Sequence, residues 1–394
     1  MTALRPAIAL ALLTAAGGCA EDDLDPAVGD SPDAQIPHAH IADAGAPDAD
    51  QAAFEPPTEI SVATYNVQNL FDVVDDPTTN EMEFTPSARW TTEKFRGRVD
   101  RFAAALAPLS LDVVALVEVE SLGVLEALSA AILEAGGPDY AHLSFVRGPD
   151  ARGIGLAVMS VYPIVEQLTR PIDLRYECTG EAGPQILDGR SQEARPILQV
   201  RVDTLGGGEG DLTLLVNHWR SKAASPYPCD ELAHRRRSAL ELRGAVDLIL
   251  NADPTRRVVA LGDFNTFEFE LPLKRDLEAR LDKSAVVSPG DLYNTWGEFE
   301  ALTEDRASNN NQWNRSSNSS YNYLGLWTRL DHVIVSGALV DEAADGWRLV
   351  PNSVQVQNMA PVIRPDGRPF SYDLDADEGY SDHLLVFTRF EREL

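Results

Sequence analysis

RVVALGDFN, residues 257–265, sets four apolar residues, Val258 to Leu261, in front of Gly262, Asp263, Phe264 and Asn265. A short apolar run bounded by turn-forming residues reads as a buried strand. Side chains two apart on a strand share a face, so Asp263 and Asn265 project together from its end. A Gly-Asp-x-Asn turn accounts for the same residues when the stretch is taken alone. The rest of the chain decides between the two.

Five further apolar runs are flanked in the same way. EISVATYNV (59–67) carries Asn66, with Gln68 next to it. LDVVALVEV (111–119) carries Glu118, and Glu120 follows. LTLLVNHW (212–219) contains Asn217 and His218 at its end. LDHVIVS (330–336) places Asp331 and His332 at its start. HLLVFTRF (383–390) opens on His383 after Ser381 and Asp382. Six apolar strands each flanked by Asn, Asp, Glu or His are not six accidents. Oxygen donors with few sulfurs suit a hard ion, Mg²⁺ or Mn²⁺ with Ca²⁺ as a further candidate, and not a structural zinc. Histidines beside carboxylates suit general acid/base work. The chain has no Gly-x-Ser-x-Gly elbow and no Gly-rich phosphate loop ending in Lys-Ser/Thr.

Three more strands are read in AHLSFV (141–146), IGLAVMS (154–160) and RPILQVRV (195–202). Helical spacing of apolar residues predicts helices over 92–109, 123–137 and 229–251, and a further one over 269–281. In the third, Leu240, Val246, Leu248 and Ile249 are expected to face inward. Strands in sequential pairs and strands around crossover helices together predict an α/β domain with mixed sheets. The Asn/Ser-rich stretch 301–322 reads as a long polar loop, and a loop of that length in a compact domain is usually functional or mobile.

The N-terminus reads differently. MTALRPAIALALLTAAGGC (1–19) has one basic residue, an Ala/Leu run too short to span a membrane, and small residues before Cys19. This is the pattern of an export signal. Its AAGGC end resembles a lipobox, which would make Cys19 a lipidated N-terminus; cleavage near Ala20 is the other option. Residues 20–58, rich in Ala, Asp and Pro, are expected to form a disordered tether, with His38 and His40 as solvated linker residues. The folded domain is expected over 59–394. Of the net charge of −29, residues 1–58 carry ten acids and one base, which leaves −20 on the domain. Bulk charge therefore opposes tight nonspecific nucleic-acid binding. Cys178 and Cys229 are the remaining cysteines, and in an exported protein two suggest a disulfide.

In this order the motifs resemble the endonuclease/exonuclease/phosphatase superfamily, metal-dependent phosphodiesterases related to pancreatic DNase and exonuclease III. The resemblance spans about residues 60–390. It rests on TYNVQNLFD (64–72), LVEVES (116–121, with Val117 where the family has Gln), RGIGLAVMS (152–160), NHWRSK (217–222), GDFN (262–265), YNYLGLWTRLDHVIVS (321–336) and SDH (381–383). It implies a four-layer α/β sandwich, two mixed β-sheets packed face to face with helices outside. It also implies roles. Glu118 is the principal metal ligand, Asn66 and Asp382 belong to the metal side, and Gln68 stands where some members have an acidic ligand. Asp263 orients or deprotonates the attacking water, and Asn265 holds a phosphate oxygen. His218 serves the leaving side, His383 contacts the phosphoryl oxygens, and Asp331 fixes His383. Arg152, Asn217, Arg220, Lys222 and Tyr323 are candidate substrate contacts.

The plainer readings sit beside these. Glu120 is expected to be a solvated neighbour of Glu118, His332 structural, and His142 and His234 surface residues. Arg235 to Arg237 read as a solvated helix face next to the site, and Trp219 and Trp327 as core or rim. Three functions follow: an exported nuclease acting on DNA, a phospholipid or small phosphoester hydrolase of the same fold, and a lipid-anchored binding module with an inactive site. The protein is expected to be a monomer that touches the membrane only through its N-terminal lipid.

Overall fold

In chain order the first half runs β1 (Glu59–Leu70), α1 (Thr92–Leu106), β2 (Val113–Val119), α2 (Leu122–Glu134), β3 (His142–Arg147), β4 (Gly155–Ser160), β5 (Ile164–Ile172), β6 (Glu177–Gly180) and β7 (Gly183–Ile186). It continues β8 (Ala194–Val202), β9 (Leu212–His218), α3 (Pro228–Ala252), β10 (Arg257–Asp263), β11 (Ala279–Arg280), β12 (Leu292–Asn294), β13 (Tyr321–Tyr323), β14 (Leu326–Thr328), β15 (Asp331–Ser336), β16 (Arg348–Leu349), β17 (Gln355–Val356) and β18 (Val386–Glu391). This computed structural model describes residues 55–81, 84–86, 89–172, 177–180, 183–186, 194–208, 210–222, 228–299, 318–323, 325–341 and 346–392. The signal, the tether up to residue 54 and most of the Asn/Ser loop lie outside them.

Two sheets are formed. The first has the order β16-β18-β1-β2-β4-β3, with β17 also on β18; the second has the order β11-β12-β15-β10-β9-β8-β5. Both are mixed: β1/β2, β9/β10 and β11/β12 are parallel, and their neighbours are antiparallel. The sheets pack face to face, β1 against β10 and β15, β4 against β8 and β9. Period-2 alternation sorts the side chains. Val259 and Leu261 of β10 join the cluster between the sheets, while Val258 and Ala260 face α3 with Ala239, Leu242 and Val246. On the first sheet Tyr65 meets Phe102 of α1 edge-on, at 5.7 Å between ring centres. The result is a four-layer sandwich with helices outside.

Local signals place the helices. Thr91 and Ser121 cap α1 and α2, each accepting from a backbone N–H three residues on, Lys94 and Val124. Three expectations need correction. Leu240 and Leu248 of α3 are exposed, Leu248 by 61%, because only Val246 and Ile249 of that set face the sheet. The helix expected over 269–281 is one turn, Pro272–Asp276, followed by Glu278 in the left-handed region (φ 59°) and strand β11. His234 is buried, not at the surface.

The topology decides where the polar strand ends go. In the parallel pairs the C-terminal ends of β1 and β2, and of β9 and β10, lie at one edge of their sheets. The antiparallel strands β15 and β18 begin there. Gly262 keeps β10 close to β9: its φ is 132°, and a Cβ there would lie 1.9 Å from the carbonyl oxygen of Asn217. Only glycine meets both conditions.

Candidate active site

Three adjacent strands put His218, Asp263 and Asp331 in one row. Asp263 is the cross-strand partner of His218 in the parallel pair and of Asp331 in the antiparallel pair. The first sheet supplies the opposite wall. Asn66 donates from Nδ2 to Asp263 Oδ2 across the gap (3.1 Å), and Ser381 donates from Oγ to the Asn66 carbonyl (2.7 Å). These two bonds tie β1 to β10 and to the segment before β18.

Glu118 reaches the cleft because β2 bulges. The β1/β2 register shifts between Asn66 and Leu70, and that of β2/β4 between Val117 and Val119. Glu118 itself has φ 67°, and on the facing strand Gln68 and Asn69 have φ 49° and 56°. A left-handed residue without glycine's freedom costs about 1–2 kcal/mol, and such strain concentrates at functional sites. Here it turns the Glu118 carboxylate inward. Asn69 N–H donates to its Oε2 (2.9 Å), and Oε1 lies 3.6 Å from His218 Nε2 and 3.9 Å from Arg152 Nη1.

The two histidines sit on either side of Asp263 Oδ2, His218 Nε2 at 3.7 Å and His383 Nε2 at 3.8 Å. Their environments push them apart. Burial, then Arg195 and Arg152, hold His218 well below its usual range, so it is neutral. Burial also disfavours charge on His383, but Asp331, accepting from its Nδ1 at 2.7 Å, and Asp263 outweigh it and raise it to about 10. These two carboxylates favour the imidazolium form of His383. Burial, with Asp331 nearby, raises Asp263. Burial, with Glu118 adding to it, raises Asp382. Opposed shifts of this kind mark an acid/base pair.

Asp263, Asp331 and His383 each bring one ligand atom to within 4.8 Å of the others. Within that trio His383 Nδ1 is already bonded to Asp331 (2.7 Å), so the group is better read as a hydrogen-bonded relay than as a cage. The carboxylates Glu118 and Asp382, close enough to act on each other electrostatically, and the Asn66 amide bonded to Asp263 are hard oxygen donors. Four carboxylates, those of Glu118, Asp263, Asp331 and Asp382, crowd a cleft whose nearby cations are His383 and the Arg152–Arg195 pair. This donor set fits a divalent cation.

Several expected residues take other places. Gln68 turns away from the cleft, its Oε1 accepting from Tyr372 N–H (3.0 Å), so Asn69 is the residue at Glu118. Asn217 points to the far face of β9: its Nδ2 donates to the Leu215 carbonyl and its Oδ1 accepts from the Trp219 indole. Asn265 uses Nδ2 on Asp263 Oδ2 (3.0 Å) and on the Trp219 carbonyl (3.1 Å), which places it to orient Asp263. Lys222 is committed to Glu270 (2.6 and 2.7 Å) and the Phe267 ring. Tyr323 is 54% exposed, and it is Tyr321 that packs on His383, ring centres 4.6 Å apart. Arg235 is buried and so departs from a solvated face, while Arg236 and Arg237 remain partly exposed and pair with Asp276 and Glu241. Glu120 is also buried, accepting from Asp72 N–H.

Arg152 stands beside Glu118, gripping Asp150 and donating to Asn69 Oδ1 (2.7 Å). Arg220 is exposed two residues past His218. His332 is structural, held between the Thr266 carbonyl and Asn294. Trp219 is in the core. Arg195 and Asp150 escaped the sequence reading: Arg195 donates to Asp150 (2.7 Å) and to the Trp219 carbonyl (3.0 Å). Their signal, an Arg opening β8 and an Asp in a turn, is too common to single out.

A family model described as "Endonuclease/Exonuclease/phosphatase family" matches residues 61–392. No curated protein matches the chain. Among solved structures it is similar to an endonuclease/exonuclease/phosphatase from Beutenbergia cavernae DSM 12333, at 18% identity and TM-score 0.47, over 85% of this chain and 72% of that one. It is also similar to an endonuclease/exonuclease/phosphatase family protein from Bacteroides thetaiotaomicron (15%, 0.46, 86% and 100%). A third is D. rerio TDP2 complexed with single strand DNA product (14%, 0.46, 85% and 100%). With 61–392 covered by one model, the chain belongs to the endonuclease/exonuclease/phosphatase family.

Proposed function

We propose that the protein is an exported phosphodiesterase that uses a divalent cation, Mg²⁺ or Mn²⁺, and hydrolyses DNA. One observation carries the reading: Asp263 Oδ2 stands between the His218 and His383 imidazoles, at 3.7 and 3.8 Å, with Glu118 on the opposite wall. Glu118 and Asp382, with Asn66, would hold the cation, which when bound neutralises charge on the phosphoryl oxygens. Asp263, fixed by Asn66 and Asn265, takes the proton of the attacking water; its raised proton affinity suits a base working near neutral pH. His383, charged and locked by Asp331, donates from Nε2 to a non-bridging oxygen as negative charge grows there. Neutral His218 places an imidazole between Glu118 and Asp263 to serve the leaving side. An inactive binding module would have no use for this set of buried, mutually supporting groups.

Arg220, exposed past His218, and Arg152, already bonded to Asp150, are the cations beside the cleft that a nucleic-acid backbone would meet. The pairing of Lys222 and Arg236 with acids leaves few such contacts and favours, as a second reading, a phospholipid or small phosphoester. The test is the full chain against plasmid, single-stranded DNA, a phospholipid and a chromogenic phosphodiester, with and without EDTA. We expect DNA cleavage with a shallow salt dependence, a log–log slope of about −2 for two phosphate contacts. Intact DNA alongside turnover of the lipid or a sugar phosphate moves the assignment to the second reading.

Export, with Cys19 lipidated, rests on the residues 1–19 pattern; these lie outside the described residues. The side chains of Cys178 in β6 and Cys229 in α3 also lie outside them, though β6 lies against α3. A bridge closing a loop of about 50 residues would contribute about 4 kcal/mol in the chain-entropy model. The intact mass of the exported protein after thiol alkylation reads both proposals. We expect a diacyl addition on Cys19 and no alkylated thiol. Two alkylated thiols refute the bridge, and an unmodified N-terminus refutes the anchor.

A further inference from the structure

Arg98, in the middle of α1, is fully buried. Its partners are main-chain oxygens. Nη1 donates to the Asn69 carbonyl (2.7 Å), and Nη2 to those of Val67 (2.8 Å) and Gln68 (2.5 Å), with Tyr380 at 3.4 Å. Its guanidinium lies over the Tyr372 ring at 4.2 Å, with Phe84 and Phe102 at 5.5 and 5.7 Å.

Three consecutive carbonyls do not converge on one point in an extended strand, where successive groups alternate. They converge here because Gln68 and Asn69 are both left-handed. Neither is glycine, so this turn needs something to hold it. A planar fork with several donors matches such a set of acceptors; a point charge does not. The same turn aims three groups at the cleft. Gln68 N–H donates to Asn66 Oδ1 (2.9 Å), Asn69 N–H donates to Glu118 Oε2 (2.9 Å), and Asn69 Oδ1 accepts from Arg152 (2.7 Å). Through Tyr380 and Tyr372 the guanidinium also touches the segment leading into Ser381-Asp382-His383.

We propose that Arg98 is a positioning residue for Glu118: it holds the left-handed turn of β1 whose Asn69 N–H orients the Glu118 carboxylate. This rests on the reading of Glu118 as the cation ligand and reaches no reacting atom itself. Groups that orient a metal-binding side chain typically alter metal affinity or activity 10–100-fold when removed.

The test is Mn²⁺ affinity of the metal-stripped full chain, read by electron paramagnetic resonance and calorimetry, so that it needs no substrate. Arg98→Lys should raise the Mn²⁺ Kd about tenfold, because an ammonium cannot bond all three carbonyls. Gln68→Gly in that background should recover part of the loss, since glycine adopts positive φ freely. A lowered melting temperature with an unchanged Kd would overturn the proposal, as would a wild type that binds no Mn²⁺, or no recovery with glycine. Should Arg98→Lys fail to fold, Tyr372→Leu loosens the guanidinium more gently. It should weaken Mn²⁺ binding in the same direction, and an unchanged Kd there also overturns the idea. A wild type that binds Mn²⁺ and responds in this way, yet hydrolyses no phosphodiester, would sink the proposed function and leave this inference standing.

Discussion

Asp263→Asn abolishes hydrolysis, by at least 10²-fold in kcat, and leaves the fold intact. The magnitude is that of a lost general base, typically 10²–10⁴-fold. The replacement has the same shape, so Asn265 N–H can still bond its oxygen as it now bonds Asp263 Oδ1 (2.9 Å). What disappears is the carboxylate between the two imidazoles. Stability should respond through its pH dependence. Burial raises the proton affinity of Asp263, so its ionised form costs stability, and that cost grows as pH rises from the unfolded value toward the folded one. An amide has no such titration, but its NH2 would face the Asn66 and Asn265 amide donors that now bond Oδ2 (3.1 and 3.0 Å), and unmet buried donors oppose the gain. In EDTA the wild type should therefore lose stability relative to the variant as pH rises toward neutrality. Kinetics and thermal melts on one preparation check both halves; a variant keeping a tenth of wild-type kcat removes Asp263 from the role of base.

Gly262→Ala destroys the native state. A methyl at this position meets the Asn217 carbonyl oxygen at 1.9 Å and its carbon at 2.8 Å, both main-chain atoms of β9. Side chains could swing away; a strand paired along its whole length cannot. The φ of 132° adds a conformation closed to L-residues. The cost should exceed about 4 kcal/mol, in the range reserved for backbone strain and overpacking. Soluble yield and chemical denaturation read it. An alanine variant within about 1 kcal/mol of wild type would show that β9 and β10 are not held as closely as described.

How legible was this in the chain? The strands that carry the site were readable, because each is an apolar run ending in polar residues. Asp263, Asp331, His383 and Glu118 were all found that way. Period-2 reasoning failed where the backbone leaves the extended region. In β1 two left-handed residues break the alternation, so Gln68 turns outward and Asn69 takes the place at Glu118. On β9 the alternation holds, and it assigns Asn217 and His218 to opposite faces; taking both as site residues ignored it. Tyr323 and Tyr321 are two apart, and nothing in the sequence says which one pairs with the His383 segment. The cations fared worst. Lys222 and Arg236 are bound to Glu270 and Asp276, acids that folding brings near, and Arg237 to Glu241 one helical turn on. In α3, Leu248 looked like core by composition, yet one helix face covers only one stripe of the sheet.

The most direct measurement is the hydrolysis of a phosphodiester by the full chain, titrated with Mg²⁺ after EDTA stripping, for wild type and Glu118→Gln side by side. The account predicts no turnover in EDTA, saturable activation of wild type by Mg²⁺, and a Glu118→Gln curve displaced to higher Mg²⁺ with substrate KM little changed. Turnover that persists in EDTA, or identical Mg²⁺ activation curves for the two proteins, would contradict it.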